Sequence, residues 1–203
     1  MICIVDYGMG NTGSVKNALA YLGYEAIISD NPADFKRASH LILPGVGSFG
    51  EGMRQLRARN IIAAMEEEAL VAKKPFLGIC LGMQMLASKG EEGGETAGLG
   101  WINGTVKMLQ GNSANFRLPH VGWNDINILR ESKLLRGTKR PIFYFTHSYY
   151  LAPENSSIIA AQAEYGEVFA ATIEQENIYG VQFHPEKSQQ EGLMVLENFL
   201  SIS

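Results

Sequence analysis

Two cysteines and four histidines bound the nucleophilic and acid–base chemistry open to this 203-residue chain. Cys80 lies in Gly78-Ile-Cys80-Leu-Gly82, where an apolar run over residues 75–80 hands over to an amphipathic one. A residue on such a sharp strand-to-helix turn is held exposed, and small residues two positions either side leave space for strained backbone. The start of a helix also favours a thiolate over a thiol. The neighbouring Leu81 amide is a ready oxyanion donor. A structural cysteine at a strand end is the plainer alternative, and the two flanking glycines favour the nucleophile. Cys3, inside the apolar run Ile2 to Val5, reads as a small buried hydrophobe.

A cysteine nucleophile needs a base. His40 begins a core strand and reads as structural, whereas His120 and His147 lie in aromatic or Pro-containing β segments and remain possible. His184-Pro185-Glu186 is best placed, at the end of the apolar run that leads into it. Pro185 keeps His184 extended, and in extended chain residues two apart point the same way. Glu186 is thereby able to bond the imidazole, fix its tautomer and stabilise its charged form. A lone His-Pro-Glu is equally often a surface turn. Here it and Cys80 both end strands of one parallel sheet, the edge where α/β sites gather.

Two glycine clusters remain. Pro44-Gly-Val-Gly47 follows a core strand, and its backbone is free to approach a ligand. As the second half of an oxyanion hole it carries weight, since one well-placed donor is worth ~3 kcal/mol. Gly8-x-Gly10-x-x-Gly13, between a strand and a helix and with Asp30 ending the next strand, has the letters of a dinucleotide fingerprint. Asp6 and Tyr7 push its first glycine past the strand end, so a tight turn is the preferred reading. A non-catalytic dinucleotide-binding module is the rival it leaves.

The elements that position these residues are legible as strands at residues 2–5, 25–29, 40–43 and 75–80, alternating with helices. The helices begin at the Ser14 N-cap and end at Gly23, then run over about 50–59, 61–72 and 81–87. Residues 89–100 read as a loop. Short β runs follow at 105–109, 141–151, 157–163 and 168–173. A closing strand covers 178–184, and a closing helix covers 188–200 with Leu193, Leu196 and Leu200 as its apolar stripe. The expectation is an α/β fold, an open and mostly parallel twisted sheet flanked by helices with an antiparallel β extension, in one domain spanning residues 1–203.

Composition is that of an ordinary globular protein, 46% hydrophobic and 19% charged. A formal net charge of -4 supplies no basic field for nucleic acid. No apolar run approaches the ~20 residues of a membrane helix, and no signal peptide is read ahead of the first strand, so a cytoplasmic location is expected. Two distant cysteines make neither a disulfide framework nor a zinc spacing, and no metal is expected.

Six segments, taken in order, resemble the class I glutamine amidotransferases, and more closely the glutaminase subunits of imidazole glycerol phosphate synthase. They are Asp6-Tyr-Gly-Met-Gly-Asn11, Pro44-Gly-Val-Gly47, Gly78-Ile-Cys-Leu-Gly-Met-Gln84, Pro119-His-Val-Gly-Trp-Asn124, Phe145-Thr-His-Ser-Tyr149 and Phe183-His-Pro-Glu-Lys-Ser188. The resemblance implies that Cys80 is the nucleophile, His184 the base and later acid, and Glu186 its orienter. It implies an oxyanion hole from Leu81 and the Val46-Gly47 segment. Glutamine would be held by Gly47, Gln84, Glu92, Ser148 and Tyr149, with Glu92 near the α-ammonium group. No cofactor is implied, and the Gly8–Gly13 turn loses its nucleotide role. Asn11, Trp123, Tyr144 and Lys187 fall at positions that face a partner; Trp123 on its own reads as core. That partner would be a (β/α)₈ cyclase in a heterodimer, receiving ammonia for histidine synthesis. Gly13-Ser-Val-Lys-Asn17 and Gly98-Leu-Gly-Trp-Ile102 look somewhat more like paralogous glutaminases that feed N-acetyl sugar amidotransferases in surface-polysaccharide synthesis.

Overall fold

A computed structural model of the chain describes residues 1–110 and 116–203. The first half alternates β1 (Ile2–Val5), α1 (Thr12–Tyr21), β2 (Ala26–Ser29), α2 (Pro32–Arg37), β3 (His40–Gly45), α3 (Phe49–Ala58) and α4 (Ile62–Glu66). A π-helical turn, Glu67–Val71, extends α4. Then come β4 (Phe76–Cys80), α5 (Leu81–Met85), β5 (Ala87–Gly90), β6 (Thr96–Ala97), β7 (Ile102–Met108), β8 (His120–Asp125) and β9 (Asn127–Ile128). The chain closes through β10 (Ile142–His147), β11 (Tyr149–Pro153), β12 (Ile159–Tyr165), β13 (Glu167–Gln175), β14 (Ile178–Val181) and α6 (Gln189–Leu200).

The main sheet has the order β2-β1-β3-β4-β14-β13-β12-β9. The first five strands are parallel, and the last three joins are antiparallel. Beside it stand an antiparallel pair, β10-β8, and a smaller sheet, β11-β7-β5-β6. This is the expected mostly parallel α/β sheet with its β extension. The central strands are apolar along their length because both faces are covered. On one face Cys3, Val5, Leu41 and Leu43 pack with Phe35, Met53, Leu56 and Met65 of α2, α3 and α4. On the other, Ile2, Ile4 and Ile42 pack with Val15 and Leu19 of α1 and Val195, Leu196 and Phe199 of α6. Each such side chain stabilises the fold by roughly 1.5–3 kcal/mol through burial. Cys3 is fully buried, and burial, then the charge of Asp34, pushes its thiol up to about 12.

Several boundaries differ from the sequence expectation. Helix α1 starts at Thr12 rather than after Ser14, and Asn11 at its N-cap makes no side-chain capping bond. Helix α2 was not anticipated, although Asn31 caps it through Ala33 N–H and Pro32 opens it. Strand β3 runs on through Pro44 to Gly45, paired with β4. Residues 89–100 hold parts of β5 and β6 rather than a plain loop. Strand β14 ends at Val181, short of His184. The buried stripe of α6 is Gly192, Val195, Leu196 and Phe199, with Leu193 and Leu200 only partly covered.

Candidate active site

Three parallel strands deliver the chemistry to one sheet edge. Gly45 of β3 is in register with Cys80 of β4, and Val181 of β14 is in register with Ile79. Cys80 is the last residue of β4 and takes φ 53°, ψ -108°, a left-handed conformation disfavoured for a side chain with a Cβ. The elbow requires its glycines for space: a Cβ on Gly82 would lie 1.7 Å from the Leu43 carbonyl oxygen, and one on Gly78 would lie 2.7 Å from the Gly82 backbone.

Gln182 still donates its amide to the Ala171 carbonyl of β13 at 2.9 Å, and after it the chain turns away, the His184 amide bonding the Tyr144 carbonyl of β10 at 2.9 Å. His184 is extended (φ -101°, ψ 96°), and residues 185–187 form a 3₁₀ turn. His184 Nδ1 lies 2.9 Å from Glu186 Oε1, with both side chains almost fully buried. The expected contact is thus present, but the 3₁₀ turn makes it rather than extended-chain alternation. Burial opposes a charge on His184, yet its hydrogen bonds to Cys80 and Glu186 and their negative charges outweigh it, raising the imidazole to about 10. With Nδ1 on Glu186, Nε2 is left for Cys80. Ser188 braces His184 from behind: its hydroxyl donates to the His184 carbonyl at 2.6 Å and accepts from the Tyr144 amide at 3.0 Å.

A cavity of about 220 Å³ opens on Cys80, lined by Val46, Gly47, Leu81, Gln84, Glu92, Pro119, Thr146, His147, Ser148 and Tyr149. Every residue anticipated for the oxyanion hole or for glutamine is in that wall. Pro119, Thr146 and His147 were not singled out for it, although each stands in a segment that carried the resemblance. Gly47 has φ +106°, open to glycine and strained for other residues. Glu92 accepts the Phe49 amide at 2.7 Å, at the start of α3. Gln84 is buried and donates to the Tyr149 carbonyl at 2.7 Å and to Gln182 Oε1 at 3.1 Å. Gln182 was overlooked; it is fully buried, and its Nε2 stands 3.6 Å from Cys80 Sγ.

The other histidines are otherwise engaged. His40 bonds the Ile202 carbonyl at 2.9 Å. His120 and His147 bond each other at 3.1 Å, and burial lowers them to about 4 and about 3. The Gly8–Gly13 turn packs on Arg59, so close that a Cβ on Gly8 would lie 2.5 Å from its guanidinium; Asp30 faces the same Arg59 at 3.9 Å. Gly13 lies inside α1. Among the described residues no group of three or more His, Cys, Asp or Glu could hold a metal ion, and no helix is long and apolar enough to cross a membrane.

Of the positions expected to face a partner, Trp123 is 49% exposed, which overturns its reading as core. It meets Tyr144 edge-on at 6.0 Å, and Lys187 Nζ lies 5.8 Å from the Tyr144 ring centre. Asn11 reaches inward as well: its Nδ2 donates to Glu186 Oε1 at 3.2 Å.

The family description "Glutamine amidotransferase class-I" matches residues 3–202. The chain belongs to the class I glutamine amidotransferase family. Curated relatives of this amidotransferase include "Imidazole glycerol phosphate synthase subunit HisH 1" of Campylobacter jejuni, 44% identical over all of both chains. Another is "Imidazole glycerol phosphate synthase subunit HisH" of Moorella thermoacetica, 46% identical over 98% of this chain and 93% of that one. Among solved structures, PurLQS from Thermotoga maritima superposes with a TM-score of 0.73 at 21% identity, over 98% of this chain and 96% of the other, a likeness of fold.

Proposed function

We propose that this amidotransferase is the glutaminase subunit of an imidazole glycerol phosphate synthase, releasing ammonia from glutamine through Cys80, His184 and Glu186. The observation that carries the catalytic reading is the convergence of a backbone-strained Cys80, a buried His184–Glu186 pair and a lined cavity at one sheet edge. Full-length identity to subunits bearing the synthase name supports the pathway. Cys80 Sγ bonds to the side-chain carbonyl carbon of glutamine, and the carbonyl electrons move onto the oxygen, facing the amides of Leu81 and the Val46-Gly47 segment. His184 gives a proton to the nitrogen, the C–N bond breaks and ammonia leaves. His184 then takes a proton from water, whose oxygen attacks the thioester; glutamate departs and the thiol returns. Glu186 holds the imidazole tautomer throughout. Gln84, with its nitrogen committed to Tyr149 and Gln182, has its oxygen free for the substrate.

Ammonia set free in water would be protonated, so a partner must take it directly. The cluster of exposed Trp123 and Lys187 about the half-buried Tyr144 supports a docking face for a (β/α)₈ cyclase, in the cytoplasm, with the chain acting as one domain. A second reading keeps the chemistry and changes the acceptor to an N-acetyl sugar amidotransferase, favoured by the segments 13–17 and 98–102.

The test is mass spectrometry after incubation with a diazo-ketone analogue of glutamine, beside a Cys80→Ala control. A single adduct on Cys80, formed faster with the cyclase, is expected. Acceleration only by the sugar amidotransferase would move the protein to the second reading. No adduct under any condition would remove the glutaminase reading.

A further inference from the structure

A buried polar network surrounds the nucleophile, and it begins far from it. Asn124 Nδ2 lies 3.4 Å from His120 Nε2, and His120 Nδ1 lies 3.1 Å from His147 Nε2. His147 Nδ1 lies 2.9 Å from the Tyr149 carbonyl oxygen. That oxygen also receives Gln84 Nε2, which in turn reaches Gln182 Oε1; Gln182 Nε2 ends the chain at Cys80 Sγ.

The direction of every bond follows from one atom. The Tyr149 carbonyl can only accept, so both groups that meet it must donate. This fixes the proton on His147 Nδ1 and leaves its Nε2 as the acceptor for His120 Nδ1–H. It equally fixes the nitrogen end of Gln84 toward Tyr149. That nitrogen needs an acceptor on its other side, so Gln182 must present oxygen to Gln84 and nitrogen to sulfur. Amide ends are normally ambiguous; here the neighbours leave one choice.

Beside His184, Cys80 Sγ therefore has two further neighbours of opposite preference. The Thr146 carbonyl oxygen, 3.7 Å away, can only accept and suits the thiol. The Gln182 amide nitrogen, 3.6 Å away, can only donate and suits the thiolate. We propose that Gln182 is a further catalytic residue, an N–H donor to the Cys80 thiolate whose orientation is dictated by the Gln84–Tyr149–His147–His120 network. Fully buried, it makes this bond without competition from water. The inference rests on Cys80 being the nucleophile. Other groups stand close: His184 after β14 bonds the sulfur, Tyr7 after β1 feels its charge, and His147 from β10 and Glu92 line the same cavity. Substitutions at Gln182 leave all of them in place.

The experiment measures the rate at which iodoacetamide alkylates Cys80 from pH 5 to 10, with each variant's fold checked by thermal unfolding. In Gln182→Met, the rate at pH 7 should fall about tenfold, as expected for loss of one hydrogen bond to an ion. The profile should move to higher pH and reach the same plateau. Gln182→Glu keeps the shape, places a carboxyl oxygen on the sulfur and should move the profile further. It carries the same test if Gln182→Met does not fold. Superimposable profiles, or a lower plateau without displacement, would overturn the proposal and leave Gln182 a packing residue. Failure of the wild-type protein to react at Cys80 would instead remove the nucleophile reading itself.

Discussion

At the scale of single residues, reactivity here is decided by which partner each buried group meets. Glu186 gives Oε1 to both His184 and Asn11. Replacing it by Gln leaves an oxygen for both donors but removes the negative charge that stabilises the His184 imidazolium. Glutamate production by Glu186→Gln is expected to drop at least ~10²-fold, in line with losses of general acid–base assistance, and the melting temperature at neutral pH to fall as the His184 imidazolium loses a partner charge. Titration adds a stability signature. His184 is raised to about 10, so its contribution is fully present below the unfolded value near 6.5 and fades as pH climbs through about 10. His120 and His147 are lowered to about 4 and about 3, so the unfolded chain binds more protons below pH 6.5 and stability falls on acidification. Urea midpoints should therefore peak near pH 6.5. His184→Gln should flatten the alkaline limb and His147→Gln the acid limb; unchanged limbs would contradict these assignments.

At the scale of elements, the geometry depends on close backbone contact. Gly82→Ala drives a Cβ to within 1.7 Å of a β3 carbonyl, and backbone cannot yield as a flexible side chain would. A loss of ~3 kcal/mol or more is expected, at the upper end for overpacking, read as a fall in the urea midpoint. The same elbow was legible in the sequence because its chemistry is local: strand, glycine, cysteine, glycine, helix. His184-Pro-Glu was legible for the same reason. What escaped depends on non-local pairing. Strands β5 and β6 are short and their Ala-Ser-Lys-Gly and Thr-Ala carry little intrinsic β preference; pairing of β5 with β7, and of β6 with β5, forms them. The turn away after Gln182 is held by Tyr144, 40 residues earlier in the chain than His184, which offers its carbonyl to the His184 amide. Gln182 sits in an apolar stretch, and nothing in its neighbours' types announces that a second glutamine would orient it. Helix α2 had its cap and its proline in plain view and was simply short.

At the scale of the whole molecule, one sheet edge holds the cavity, and the exposed aromatic cluster adjoins it through β10. Tyr144 belongs to both: its side chain meets Trp123 and Lys187, and its peptide holds the His184 segment through Ser188. Trp123→Ala removes a half-exposed ring, so it should leave the unfolding free energy from urea titration within about 0.5 kcal/mol of wild type. A buried tryptophan at an interface is commonly worth ~2 kcal/mol or more. Cyclase affinity by titration calorimetry should accordingly weaken at least ~30-fold. An unchanged affinity would place the docking face elsewhere. The order of the fold along the chain was legible at this scale because parallel strands advertise themselves as apolar runs between helices. The exposure of Trp123 was not, since an aromatic residue in a β run looks the same whether it faces a core or a partner.

The burial of Cys3 has a practical corollary. Its sulfur is fully enclosed beneath α2, and its thiol is held near 12, so at neutral pH it is both unreachable and un-ionised. Although the sequence has two cysteines, only Cys80 opens on a cavity in the folded state. A fluorophore or spin label added to the unaltered protein will report from the cavity at Cys80 alone, and a second labelled position is a signal that the sheet has opened.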